Sequence, residues 1–84
     1  MEKIFDLSIV TQEKTLYQGK AVSLVVPAAL GYLGVLAAHA PLVANLKSGK
    51  IIVREGSGGT IVLSCDNKGF VEVLNNKVSV ILRQ

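Results

Sequence analysis

AVSLVVPAALGYLGVLAAHAPLVANL, residues 21–46, runs for twenty-six positions between Lys20 and Lys47 without an Asp, Glu, Lys or Arg. Its reading decides the fold. A bilayer helix needs about 20 predominantly apolar residues, so the length alone permits a membrane span. The contents argue against one. Pro27, Gly31, Gly34, His39, Pro41 and Asn45 interrupt the run every few residues, and each break would leave backbone groups unpaired in hydrocarbon. A buried set of short strands accounts for it better. Val22, Leu24 and Val26 alternate with Ala21, Ser23 and Val25, the period of two of a strand, and Pro27 is expected to stop that strand or mark a sheet edge. GYLGVL, 31–36, reads as a strand whose glycines predict a bulge or a close approach of another backbone. AAHAP, 37–41, reads as a loop or one short turn, because Pro41 biases Ala40 away from the helical region.

Outward from this stretch the same period recurs. IFDLSIV, 4–10, sets Phe5, Leu7 and Ile9 against Ile4, Asp6 and Ser8. TLY, 15–17, reads as a short strand that Gln18-Gly19 ends. LVANLK, 42–47, reads as a strand, and Ser48-Gly49 turns it into GKIIVRE, strand-like from Lys50 to Glu55, with GSGG, 56–59, as a flexible link. TIVLSC, 60–65, points Ile61, Leu63 and Cys65 inward. Asp66-Asn67-Lys68-Gly69 has turn chemistry, with Gly69 able to take positive φ. FVEVL places Val71 and Val73 opposite Glu72, Asn75-Asn76 signals a two-residue hairpin, and KVSVILR lines up Val78, Val80 and Leu82. Eight or nine short strands and no substantial helix predict an all-β sandwich or barrel.

A chain of 84 residues is expected to form a single domain, 1–84. Half of the residues are hydrophobic but only four are aromatic, so Val, Leu, Ile and Ala must build the core. Nine Lys and Arg against six Asp and Glu give a net charge of +3, scattered singly. Nucleic-acid binding, which needs a basic stripe, is not expected. A lone Cys65 excludes an internal disulfide and a cysteine zinc site, and fits a reducing compartment. The MEKIFDLSIV start lacks a signal-peptide pattern.

No catalytic or metal-binding grouping emerges, and no cofactor is expected. His39 is the single histidine and lies between alanines. A metal site would need partners it does not have in the sequence. A ring nitrogen bonding a backbone carbonyl to fix the loop is the simpler role. Cys65 follows the inward alternation of its strand and reads as a small buried apolar side chain. GSGG is not followed by the Lys-Ser/Thr and helix of a phosphate loop. A binding or structural module is expected, not an enzyme.

Three runs carry a resemblance. They are G-x-x-G-V-L-x-x-H-A-P-L from Gly31 to Leu42, L-K-x-G-x-I from Leu46 to Ile51, and G-F-V-E-V-x-N-N-x-V from Gly69 to Val78. In that order they resemble the N-terminal β-sandwich domain of the epsilon subunit of rotary ATP synthases, called delta in mitochondria. The resemblance implies a ten-strand sandwich of two packed sheets. It implies a non-catalytic central-stalk subunit that grips the gamma subunit and rests on the membrane rotor ring. Its place would be peripheral, on the cytoplasmic face of a bacterial inner membrane or the equivalent organellar side. Leu30, Tyr32, Ala38, His39, Ala40 and Pro41 would then contact gamma or the ring.

The chain departs from the family at several positions. Ala28 stands where Gly is usual, Leu30 and Tyr32 where acidic or polar residues are, Ala37 for Pro, and Lys68 for a second Gly. Carboxylate contacts to the ring are therefore not carried over to positions 30 and 32. The helical hairpin that usually follows the last strand does not follow here before Gln84. If 84 residues is the natural length, the subunit is expected to couple without that inhibitory arm; if the chain is a piece of a longer one, the arm is merely missing from it. The competing reading is a free sandwich that binds a small ligand or carbohydrate, which would display exposed aromatics; the chain has only Phe5, Tyr17, Tyr32 and Phe70.

Overall fold

The computed structural model describes residues 3–66 and 68–83. Eight strands follow one another: β1 (Phe5–Val10), β2 (Thr15–Ala28), β3 (Gly31–Leu36), β4 (Leu42–Leu46), β5 (Gly49–Glu55), β6 (Thr60–Cys65), β7 (Gly69–Leu74) and β8 (Lys77–Leu82). No helix appears among the described residues. The all-β fold is as expected; the described residues form eight strands, where the resemblance implied ten.

β2 organises the two layers. Its first half pairs antiparallel with β1, from Thr15 against Val10 to Ala21 against Phe5. Its second half pairs with β3, from Ser23 against Leu36 to Ala28 against Gly31, and with β5. β1 continues into β8, the one parallel pairing among the described ladders, and then β7 and β4. β5 continues into β6. One layer therefore holds β4, β7, β8, β1 and the start of β2; the other holds β3, the end of β2, β5 and β6.

The switch between layers is a bulge. Ala21 faces Glu55 and Ser23 already faces Arg54, which leaves Val22 as the extra residue on β2. An extra residue shifts the side-chain phase by one. Leu24 and Val26 are fully buried on one side of the alternation, and Ala21 is buried too, on the opposite side. Before the bulge odd residues face inward, and after it even ones do.

β2 also runs through two expected breaks. Gln18-Gly19 is no turn: Gly19 lies opposite Leu7, and a Cβ there would come 3.0 Å from the Tyr17 hydroxyl. The glycine makes room for the tyrosine ring. Pro27 is buried inside the strand. The β5 ladder has ended at Val25, and the Pro27 carbonyl accepts the Lys47 N–H at 2.8 Å. The edge carrying its missing N–H thus lies beyond that ladder.

The core joins both layers. Phe5, Leu7 and Ile9 of β1, Val71 and Val73 of β7, and Val78, Val80 and Leu82 of β8 pack against Leu24, Val26, Val35, Ile51, Val53 and Cys65. The inward positions of β1, β7 and β8 are those read from alternation. Cys65 is buried at its strand's inner face, with Ile61 and Leu63 packed partly against the core. Each buried Val or Leu contributes about 1.5–3 kcal/mol, so many moderate contacts replace a few aromatic ones.

Glycines behave as the backbone needs. Gly31 has φ of 135°, which lets the chain leave the Ala29-Leu30 turn, and its ladder with β2 is unbroken, so the expected bulge in β3 is absent. At Gly34 no other backbone approaches closely either. Gly69 does not take positive φ; it opens β7, where a Cβ would run into the Ile81 carbonyl. The preceding Asn67 lies outside the described residues. Asn75 and Asn76, with φ of 52° and 62°, form the expected hairpin turn between β7 and β8.

Candidate partner-contact site

Strand β3 separates the six candidate residues into two groups. Leu30 and Tyr32 lie at its start, and Ala38, His39, Ala40 and Pro41 follow its end. A six-residue strand spans about 20 Å, so the groups do not form one patch. They sit at opposite ends of β3.

The start of β3 is the turn end. Leu30 is completely exposed (103%) at the tip of the β2–β3 turn. The turn is tied back where Ala29 N–H donates to the Asn45 carbonyl at 2.9 Å. Tyr32 is 60% exposed, yet its hydroxyl accepts the Lys50 N–H at 3.2 Å. It can do so because residue 49 is glycine: a Cβ there would lie 2.6 Å from Pro27 Cβ and 2.8 Å from the Tyr32 hydroxyl. β3 and β4 do not pair, and between them Leu30, Tyr32, Leu33, Leu42 and Val43 line an open groove of about 570 Å³. Lys47, Ser48, Lys68 and Arg83 border a second hollow at this same end.

The other end is a latch. Ala38 adopts φ of 61°. This left-handed conformation costs a residue with a Cβ about 1–2 kcal/mol. The Ala38 N–H donates to Asn76 Oδ1 at 2.9 Å, and Asn76 Nδ2 donates to the Ile4 carbonyl at 2.9 Å. Asp6 N–H donates to the Asn76 carbonyl at 3.1 Å. Each such bond is worth about 0.5–1.5 kcal/mol net, enough to offset the strain at Ala38.

His39 fits its simpler reading. Its N–H donates to the Leu36 carbonyl at 3.2 Å, and its ring Nδ1 lies 2.7 Å from the Ala40 carbonyl. A carbonyl only accepts, so Nδ1 carries the hydrogen. Among the described residues no group of three His, Cys, Asp or Glu could hold a metal ion.

Elsewhere the charged groups are local. Lys20 pairs with Asp6 on the surface, and that hydrogen bond holds the Asp6 carboxyl below its ordinary range. The Tyr17 hydroxyl donates to Glu55 Oε2 at 2.9 Å; burial first, then this bond, pushes the phenol above its ordinary value. Exposed Tyr32 and Phe70 do not make the aromatic shelf of a sugar binder: Tyr32 lies on β3 of one layer and Phe70 on β7 of the other. No helix among the described residues is long and apolar enough to cross a membrane.

Sequence reasoning missed two residues at these ends. Val43, 68% exposed, joins the turn-end groove; its apolar character on the outer side of an alternating strand was the available signal. Asn76 was read only as a turn residue. Nothing local announces that its side chain reaches partners 38 and 72 positions away.

The chain is similar to known proteins. An ATP synthase epsilon chain of Leptospira interrogans is 43% identical over 75 residues, which are 89% of this chain and 58% of the relative. The epsilon chain of Campylobacter lari is 39% identical over 83 residues, 99% of this chain and 63% of that one. The chain thus spans little more than half the length of such relatives. A chain in the cryo-EM structure of the Euglena gracilis mitochondrial ATP synthase, OSCP/F1/c-ring, superposes with a TM-score of 0.85 at 23% identity, covering 98% of this chain and 51% of that one. A chain in the Tetrahymena thermophila mitochondrial ATP synthase central stalk and c-ring gives 0.75 at 13% identity, covering 99% and 66%. Both share the fold. The family model described as ATP synthase, Delta/Epsilon chain, beta-sandwich domain matches residues 4–84, and the chain belongs to that family.

Proposed function

We propose that this chain acts as a single, non-catalytic central-stalk domain of a rotary proton-translocating ATP synthase, linking gamma to the membrane rotor ring. The observation that carries the reading is the separation of the two candidate groups by the length of β3. An adaptor between two partners needs two faces held at a fixed distance, and a close-packed sandwich deforms little. The latch end, apolar through Ala38, Ala40, Pro41 and the exposed Leu36 and Leu74, suits a protein shaft such as gamma. The turn end, with Leu30 and Tyr32 beside Lys47, Lys68 and Arg83, suits the polar loops of a rotor ring. The domain would lie peripheral to the membrane, on the cytoplasmic face in a bacterium or its organellar equivalent.

The test is reconstitution. These 84 residues, added to their own gamma-containing complex, should co-purify with gamma and the ring and restore coupling without inhibiting hydrolysis. Leu30→Asp, at the fully exposed tip of the β2–β3 turn, should weaken retention on the ring while the isolated chain keeps its melting temperature. Strong inhibition of hydrolysis, or no co-purification with either partner, would overturn the reading.

A further inference from the structure

Asn76 connects three segments that are distant in sequence. Its own left-handed backbone closes the β7–β8 turn, its Oδ1 takes the Ala38 N–H, and its Nδ2 reaches the Ile4 carbonyl at the entrance to β1. The amide orientation is fixed by its partners: an N–H needs an acceptor and a carbonyl needs a donor, so the flipped amide would lose both bonds. Ala38 is the one described residue, other than glycine and the two turn asparagines, with positive φ. Alanine has neither the freedom of glycine nor a side chain to bond its own backbone. Within the loop only the His39 N–H to Leu36 carbonyl bond closes the turn around it, and from outside the loop Asn76 adds the bond to its own N–H.

We propose that Asn76 is the positioning residue of the 37–41 loop, fixing it in its binding conformation before a partner arrives. This rests on the reading of Ala38–Pro41 as the contact with gamma. A loop ordered in advance spares the encounter the entropy of ordering it. Asn76 itself is bonded within the domain and needs no contact with the partner to act.

Two variants separate the parts. Asn76→Gly keeps the left-handed turn and removes both side-chain bonds; Asn76→Asp keeps an acceptor for Ala38 and removes the donor to Ile4. In the isolated chain, amide exchange at Ala38 should quicken about tenfold or more in Asn76→Gly and stay near wild type in Asn76→Asp. Calorimetric affinity for purified gamma should fall about tenfold in the first variant and recover most of that in the second. A purely structural role would lower the melting temperature without this ordering of affinities. Unchanged Ala38 exchange in Asn76→Gly overturns the latch. Faster exchange with unchanged affinity overturns its link to binding. A wild-type chain that ignores gamma overturns the functional reading, and the Ala38 exchange then judges the latch separately.

Discussion

The two ends of β3 are held by different physics. At the latch end an alanine is kept in an unfavourable conformation by a side chain contributed from the β7–β8 turn. At the turn end Gly31, Gly49 and Gly69 provide the space and angles, and close packing of Pro27 and Tyr32 does the rest. One end depends on polar cross-links, which can be removed singly; the other depends on the absence of atoms. The two should respond oppositely to substitution.

Adding one methyl at the turn end tests this most severely. Gly69→Ala drives a Cβ into the Ile81 carbonyl and the Leu82 backbone, so denaturant unfolding should show a loss of about 2–3 kcal/mol. A loss under about 0.5 kcal/mol would mean that this end relaxes freely. Removing a methyl at the latch end should do the reverse. Ala38→Gly relieves a strain of about 1–2 kcal/mol, against about 0.4–1 kcal/mol of added freedom in the unfolded chain. The net expectation is a gain of about 0.5 kcal/mol, read as a higher melting temperature; a clear loss would show that Ala38 is not strained.

The smallest effect is a pH dependence outside both ends, where Tyr17 of β2 bonds Glu55 of β5. Because the folded state raises the phenol above its ordinary 10.0, the folded chain keeps a proton that the unfolded chain gives up. The stabilisation is complete below pH 10 and declines as pH rises through the folded value. Tyr17→Phe should flatten that decline between wild type and variant. An unchanged slope would remove the tyrosine from the comparison.

The same contrast explains what the sequence discloses. Alternation over Phe5, Leu7 and Ile9, and over Val78, Val80 and Leu82, reports which side chains leave water, and burial follows it. The Asn75-Asn76 turn was readable because the left-handed conformation is a local property of asparagine. Gly19 and Pro27 misled because their usual local meaning yields to tertiary context, a ring resting over one and a ladder ending beside the other. The candidate residues were legible as an apolar excess. Their division between two ends was not, since only the pairing of β3 with β2 reveals that the segment runs straight between them.

The bulge at Val22 carries a last consequence. Because β2 is one unbroken backbone belonging to both layers, peeling either layer away must also strip hydrogen bonds from a strand that the other layer requires. No subset of strands is left able to stand by itself. The slowest-exchanging amides of β1, β5 and β8 should therefore share one opening free energy, with the whole chain behaving as a single foldon.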